Sequence, residues 1–228
     1  MHSFWKREAG RNDLVHWSNR FSGSVEAGLL TVRAGMNPAL TVRLGDLEYA
    51  HDGIDKAVRP IGQTLFVQEP FVLAPQEIAS DVGLRLIVGV LAQEDGIIMD
   101  ARLETIAPVD RVSLSLSVVL DDSSAGSLCP SKAGWPQESL VVDGPEARWM
   151  EFRHGNEIVG AVAADLGEAG FVVGQRDGKR WEVTFFEQSL EKGVILVGRW
   201  GLMARPPAVS ASAFREQATA FFSRPTFL

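Results

Sequence analysis

Between Arg111 and Val118 the chain reads Arg-Val-Ser-Leu-Ser-Leu-Ser-Val, so that Val112, Leu114, Leu116 and Val118 recur at every second position with serines between them. Successive side chains of a strand point to opposite faces, and this period therefore asks for an extended segment with one buried face and one wet face. No helix can use it, because a 3.6-residue period would scatter the four aliphatics around the axis. The same alternation runs from Ser24 to Arg33 and again through Leu40-Thr41-Val42-Arg43-Leu44, with Thr or Arg between the aliphatics and Gly35-Met36-Asn37-Pro38 as the turn between two strands.

Further runs follow the same rule. Leu84 to Val90 and Gly96 to Glu104 flank Gln93-Glu94-Asp95-Gly96, an Asp-Gly turn that predicts a hairpin. Strands are expected near residues 149–153, 157–163, 170–175, 180–187 and 194–203, each separated by a short Gly-containing turn. Runs at this spacing build a meander or a sandwich. The expected fold class is all-β: one large antiparallel β-sandwich domain over residues 1–228, with the loop 121–144 as the place where it would divide into two sheets or subdomains. One helix is expected at the end. Ser210 or Ser212 can cap Ala211–Phe222, which carries Phe214, Ala218, Phe221 and Phe222 on one side, and Pro206-Pro207 stops the strand before it. Cover for a sandwich edge is its natural use.

Charge and composition narrow the partners. A formal net charge of -7 opposes a phosphate backbone, and no basic run is present, so nucleic acid is not an expected partner. The first residues are charged where a signal peptide needs an apolar core, which predicts a cytoplasmic protein, and no apolar run approaches the ~20 residues of a membrane helix. No membrane contact is expected. Cys129 is the single cysteine, so no intramolecular disulfide and no cysteine-rich metal site can form. Glycine-rich phosphate loops, Gly-x-Ser-x-Gly and His-Glu-x-x-His are absent.

Four groups of residues could carry chemistry. The densest polar stretch runs from Gly45 to Lys56: Asp46, Glu48, Asp52 and Asp55 offer oxygen ligands suited to Ca2+, and His51 with Glu48 offers an acid–base pair. The competing reading is a solvated loop after a strand. His154 with Glu151 is a second His–carboxylate couple, beside a turn, and His16 near Asp13 and Trp17 is a third. Six tryptophans against one tyrosine are the unusual feature of the composition. Trp149, Trp181 and Trp200 lie in strand runs, where core packing is the ordinary role, whereas Trp135 lies in the long loop. Trp135 and Trp200 with Arg153 and Arg199 are the candidate ligand contacts on a sheet face or rim.

The second half carries a resemblance. Arg148-Trp149-Met150-Glu151-Phe152, Ile158 to Val162, Gly170-Phe171-Val172-Val173, Trp181 to Phe186 and the closing run Val194 to Met203 before Pro206-Pro207 resemble the galactose-mutarotase-like and glycoside-hydrolase-associated β-sandwich domains. The resemblance covers residues 148–207. It implies a supersandwich and carbohydrate as the ligand class, with a His and a carboxylate in the catalytic members; His154 and Glu151 are the residues available for that role. Three functions are expected in turn: a carbohydrate-recognition or carbohydrate-associated sandwich, an isomerase or hydrolase using a His–carboxylate pair, or an interaction subunit that docks a protein partner or a second copy of itself.

Overall fold

The computed structural model describes residues 4–7, 14–17, 21–26, 29–34, 40–61, 66–68, 71–79, 82–93, 96–120, 126–130, 149–154, 156–165, 171–174, 180–225 and 228. Two antiparallel sheets and one helix account for most of them. In chain order the strands are β1 (Phe4–Arg7), β2 (Leu14–Trp17), β3 (Phe21–Glu26), β4 (Leu29–Ala34), β5 (Leu40–His51), β6 (Ile54–Val58), β7 (Phe66–Gln68), β8 (Phe71–Ala79) and β9 (Leu84–Ala92). They continue as β10 (Gly96–Glu104), β11 (Val109–Leu120), β12 (Gly126–Pro130), β13 (Trp149–His154), β14 (Glu157–Asp165), β15 (Phe171–Gly174), β16 (Arg180–Leu190) and β17 (Ile195–Ala204), before helix α1 (Ala211–Phe222).

The first sheet runs β1-β2-β3-β4-β5-β11-β16-β15, with β6 also on β5; the second runs β12-β13-β14-β17-β10-β9-β8-β7. The fold is thus an all-β sandwich. Its core is one apolar cluster drawn from both sheets, including Val42, Leu44, Leu114, Leu116, Trp181 and Phe185 from the first and Val88, Met99, Val162, Trp200 and Leu202 from the second. The Arg111–Val118 alternation behaves as its period requires: Val112, Leu114, Leu116 and Val118 are at most 2% exposed, while Ser113, Ser115 and Ser117 face outward. Each such aliphatic burial is worth up to about 1.5–3 kcal/mol. Gly198 gives the opposite sheet room, since a Cβ there would meet Phe185 Cδ1 at 2.5 Å.

Two of the links by which the chain passes between sheets, β10–β11 and β16–β17, lie side by side: Gly193 N–H donates to the Thr105 carbonyl at 2.9 Å. Thr105 is buried, and its hydroxyl sits 2.6 Å from the Ala107 carbonyl and 3.0 Å from that of Val82. A hydroxyl is tolerated in this interior because it is fully hydrogen-bonded.

Several expectations change in detail. The alternating run from Ser24 to Arg33 is two paired strands, β3 and β4. The polar stretch 45–56 is a hairpin rather than a loop: β5 continues to His51, and Asp52 (φ 51°) with Gly53 (φ 72°) forms a tight two-residue turn into β6. Both positive φ values fit the mirror-image turn that Asp-Gly favours. A bulge permits this continuation, since Gly45 and Asp46 together oppose Ser115, after which Leu47 and Tyr49 point inward again. Only β12 of the loop 121–144 falls among the described residues.

Helix α1 has the expected bounds, with Ser210 Oγ accepting the Ala213 N–H at 3.2 Å. It covers the face of the second sheet rather than an edge, packing Phe214, Ala218, Phe221 and Phe222 on Ile98, Ile158, Ala161, Ala163 and Met203 of β10, β14 and β17. Alternation explains the difference, because these strands carry small or apolar residues on their outer face as well as their inner one. Ser210→Ala should remove the cap at a cost of about 1 kcal/mol, read as a fall of about 2–4 °C in the thermal midpoint; an unchanged midpoint would deny the cap any role.

Candidate binding face

The two outer faces of the sandwich differ in kind. That of the second sheet is apolar under α1 and carries two buried charge networks. Arg199 of β17, 2% exposed, donates from Nε and Nη2 to Asp100 of β10 at 2.6 and 2.7 Å, and it also donates to the carbonyls of Arg224 and, at 2.9 Å, Pro225. Glu151 of β13, 1% exposed, accepts from Arg153 on one oxygen and from Arg215 of α1 on the other, the latter at 2.6 Å. Both networks tie the C-terminal segment to the sheet.

Burial pushes the Glu151 carboxyl pKa up, but the hydrogen bonds and positive charge of Arg215 and Arg153 outweigh burial and hold it below its ordinary value. A carboxyl lowered by folding adds stability that is complete above its unfolded pKa and is lost as pH falls through the folded one. Wild type should therefore melt above Glu151→Gln at neutral pH, with the gap closing as acid passes below about 4.5. A gap independent of pH would contradict this.

The residues anticipated from the sequence are placed accordingly. Trp200, expected at a ligand, is fully buried between the sheets. It belongs to the core because β17 turns it, with Leu202 and Ala204, toward the first sheet. Arg199 and Glu151 are buried in ion pairs, and Arg153, partly exposed, donates to Glu151. His154 stands in β13 opposite Glu157. Trp135 lies outside the described residues. In the β5–β6 hairpin, His51 Nε2 is 3.5 Å from Asp52 Oδ2, and Glu48 lies opposite Ser113. The suggested Ca2+ ligands are not drawn together: Asp46 is held by Arg59 at 2.9 Å and Asp55 by Arg111 at 3.3 Å. Among the described residues no three His, Cys, Asp or Glu side chains converge.

The outer face of the first sheet is polar and open, and its register lines up polar side chains in rows. One row crosses Arg33 (β4), Thr41 (β5), Val119 (β11) and Arg180 (β16); the next crosses Thr31, Arg43, Ser117 and Glu182; a third pairs Ser115 with Thr184. Neighbouring strands along each row stand about 4.7–4.9 Å apart. Above them lie two adjoining hollows. One of about 560 Å³ is lined by Arg33, Thr41, Arg43, Ser117, Val119, Leu120 and Arg180. The other, of about 330 Å³, includes Gly45, Ser115, Glu182 and Thr184 and shares Arg43 and Ser117 with the first. The bulge shapes the second: a Cβ at Gly45 would collide with Ser115 Oγ. Arg180 donates to Glu182 within the face. Sequence reasoning took none of these side chains as a site, although the Thr, Arg and Ser half of each alternating strand was their visible signal.

Fold and face together define a β-sandwich protein with one helix-covered sheet and one open polar sheet. No family model matches the sequence, and no curated protein matches it. Among solved structures the chain is similar to the Slr1438 protein of Synechocystis sp. PCC 6803, with a TM-score of 0.50 at 8% identity over 89% of this chain and 95% of that one. It is also similar to a galactose mutarotase related enzyme from Lactobacillus acidophilus (TM-score 0.47, 8% identity, 85% of this chain and 97% of that one). A chondroitin AC lyase of Streptomyces coelicolor A3 is similar over 91% of this chain and 33% of its own length (TM-score 0.47, 11% identity). The likeness to the Slr1438 protein is one of fold alone. No helix among the described residues is long and apolar enough to cross a membrane.

Proposed function

We propose that this protein binds carbohydrate on the open face of its first sheet. The observation that carries the reading is the adjoining pair of hollows over β5, β11 and β16, floored by rows of guanidinium, hydroxyl and carboxylate groups. A sugar presents hydroxyls that both donate and accept at nearly fixed spacing, and strand pairing fixes the spacing of the partners it needs. Guanidinium groups donate, Glu182 accepts, and Ser117, Ser115, Thr41 and Thr184 do either. The volumes suit one or two sugar rings, since small-molecule sites commonly span about 300–1,000 Å³. No described histidine lines either hollow, so an isomerase or hydrolase that uses a His–carboxylate pair has less support there than recognition has.

Thermal denaturation against mono- and oligosaccharides tests the proposal, because a ligand at 100 times its dissociation constant stabilises the folded state by about 2.7 kcal/mol. A saturable rise that Ser117→Trp abolishes is expected, as the indole would fill the space the two hollows share. A rise that persists in Ser117→Trp, or none across the panel, would remove the proposal.

A further inference from the structure

We infer that the ligand of this face is an anionic sugar, one bearing a carboxylate, phosphate or sulfate, held by Arg33 and Arg43; the inference rests on the carbohydrate-binding reading above. Its ground is an imbalance of charge. Most described arginine side chains have a charged partner: those at 59, 85, 102, 111, 153, 180, 199 and 215 meet carboxylates. Arg205 donates to the carbonyls of Val209 and Ile158, and Arg224 donates to Gln93 and stacks on Phe221. Among the described residues, Arg33 and Arg43 have no such partner, and both line the larger hollow.

Their placement sharpens the point. Arg43 lies directly opposite Thr31 on the neighbouring strand, and Thr41 opposite Arg33, so the two arginines are diagonal neighbours on one face. Diagonal partners stand about 7–8 Å apart, within reach of long side chains, and two like charges there repel unless an anion lies between them. Arg180 closes the far side of the same hollow, but its charge is already met by Glu182. In a chain of net charge -7, this cationic spot runs against the overall field. A planar guanidinium offers a fork of N–H donors matched to carboxylate, phosphate or sulfate oxygens, whereas a neutral hydroxyl would leave the paired charges unanswered. Hydroxyls of Thr41 and Ser117 beside the pair would then take the sugar ring.

Calorimetric titration at low salt separates the alternatives, using galactose against galacturonate, glucose against glucose 6-phosphate, and galactose against galactose 6-sulfate. At least one charged member should bind tenfold or more tighter than its neutral counterpart, and that factor should shrink with added salt. The three pairs identify which anionic group is preferred. The double variant Arg33→Gln/Arg43→Gln should erase the factor, so that charged and neutral sugars bind it alike, while leaving the melting curve unchanged, since both side chains are exposed. Equal affinity for charged and neutral sugars, or a preference that survives the double variant, would overturn the anionic inference and leave the sugar-binding face standing. No binding of any sugar, charged or neutral, would overturn both.

Discussion

Arg199→Ala is expected to cost about 3–5 kcal/mol of folding stability, which for a chain of this size lowers the thermal midpoint by about 10 °C. The reason is the group left behind. Asp100 is fully buried on the outer face of β10, and the Arg199 fork supplies two charge-assisted contacts to it, at 2.6 and 2.7 Å. Removing the fork takes two charge-assisted hydrogen bonds from a buried carboxylate, and it also frees the carbonyls of Arg224 and Pro225 that Arg199 holds beyond α1. A second variant separates these effects. Arg199→Met with Asp100→Leu removes both charges and should recover most of the loss, because an apolar pair of similar volume avoids the cost of keeping a charged pair out of water. Should the double variant melt as low as Arg199→Ala, the loss comes from the released C-terminal segment and not from the weakened hydrogen bonding of Asp100.

Phe222→Ala should cost a similar amount, about 3–5 kcal/mol, by opening a cavity between α1 and the sheet. The ring is fully buried and rests on Gly201 of β17 so closely that a Cβ there would meet Phe222 Cδ1 at 2.5 Å. Phe221 uses Gly96 of β10 in the same way, its Cζ falling 2.6 Å from the position of a Cβ. The two glycines are sockets for two rings. Gly201→Ala should therefore destabilise the parent protein by about 1–3 kcal/mol through overpacking, yet be neutral or favourable in the Phe222→Ala background, where the added methyl enters vacated space. Additive effects in the four-way comparison of melting curves would show that the ring and the glycine do not meet.

Much of the sandwich was legible because its strands have one dry face. The Val112–Val118 run, the hairpin of β9 and β10 and the closing strand all follow from a period of two, and the helix bounds follow from Ser210 and the four spaced apolar residues. What alternation could not show is which sheet a strand joins or what covers its other side. Trp200 and Arg199 are neighbours in sequence, so they point in opposite directions: one enters the core and the other pairs with Asp100 on the outer face of the second sheet. Placing both at one ligand site was inconsistent with a strand. Glu151 was visible as an acid, but its partners Arg153 and Arg215 come from two residues away and from the helix, and the second cannot be found by local reading. The polar face was written in the Thr31, Arg33, Thr41, Arg43, Ser115 and Ser117 half of the pattern; only the register of β4, β5, β11 and β16 assembles those residues into rows.

The pairing of β10 with β17 brings together residues such as Asp100 and Arg199, 99 positions apart. A hairpin such as β9–β10 closes in microseconds, but the middle of the second sheet must wait until a loop of that length has closed, at an entropic cost recovered only once the pairing is complete. Refolding should consequently fall in the millisecond-to-second range of non-local β proteins rather than that of helical bundles. During that interval β10 and β14 present an unclaimed edge and an uncovered apolar face, so the order in which the chain acquires its contacts governs how much of it escapes aggregation.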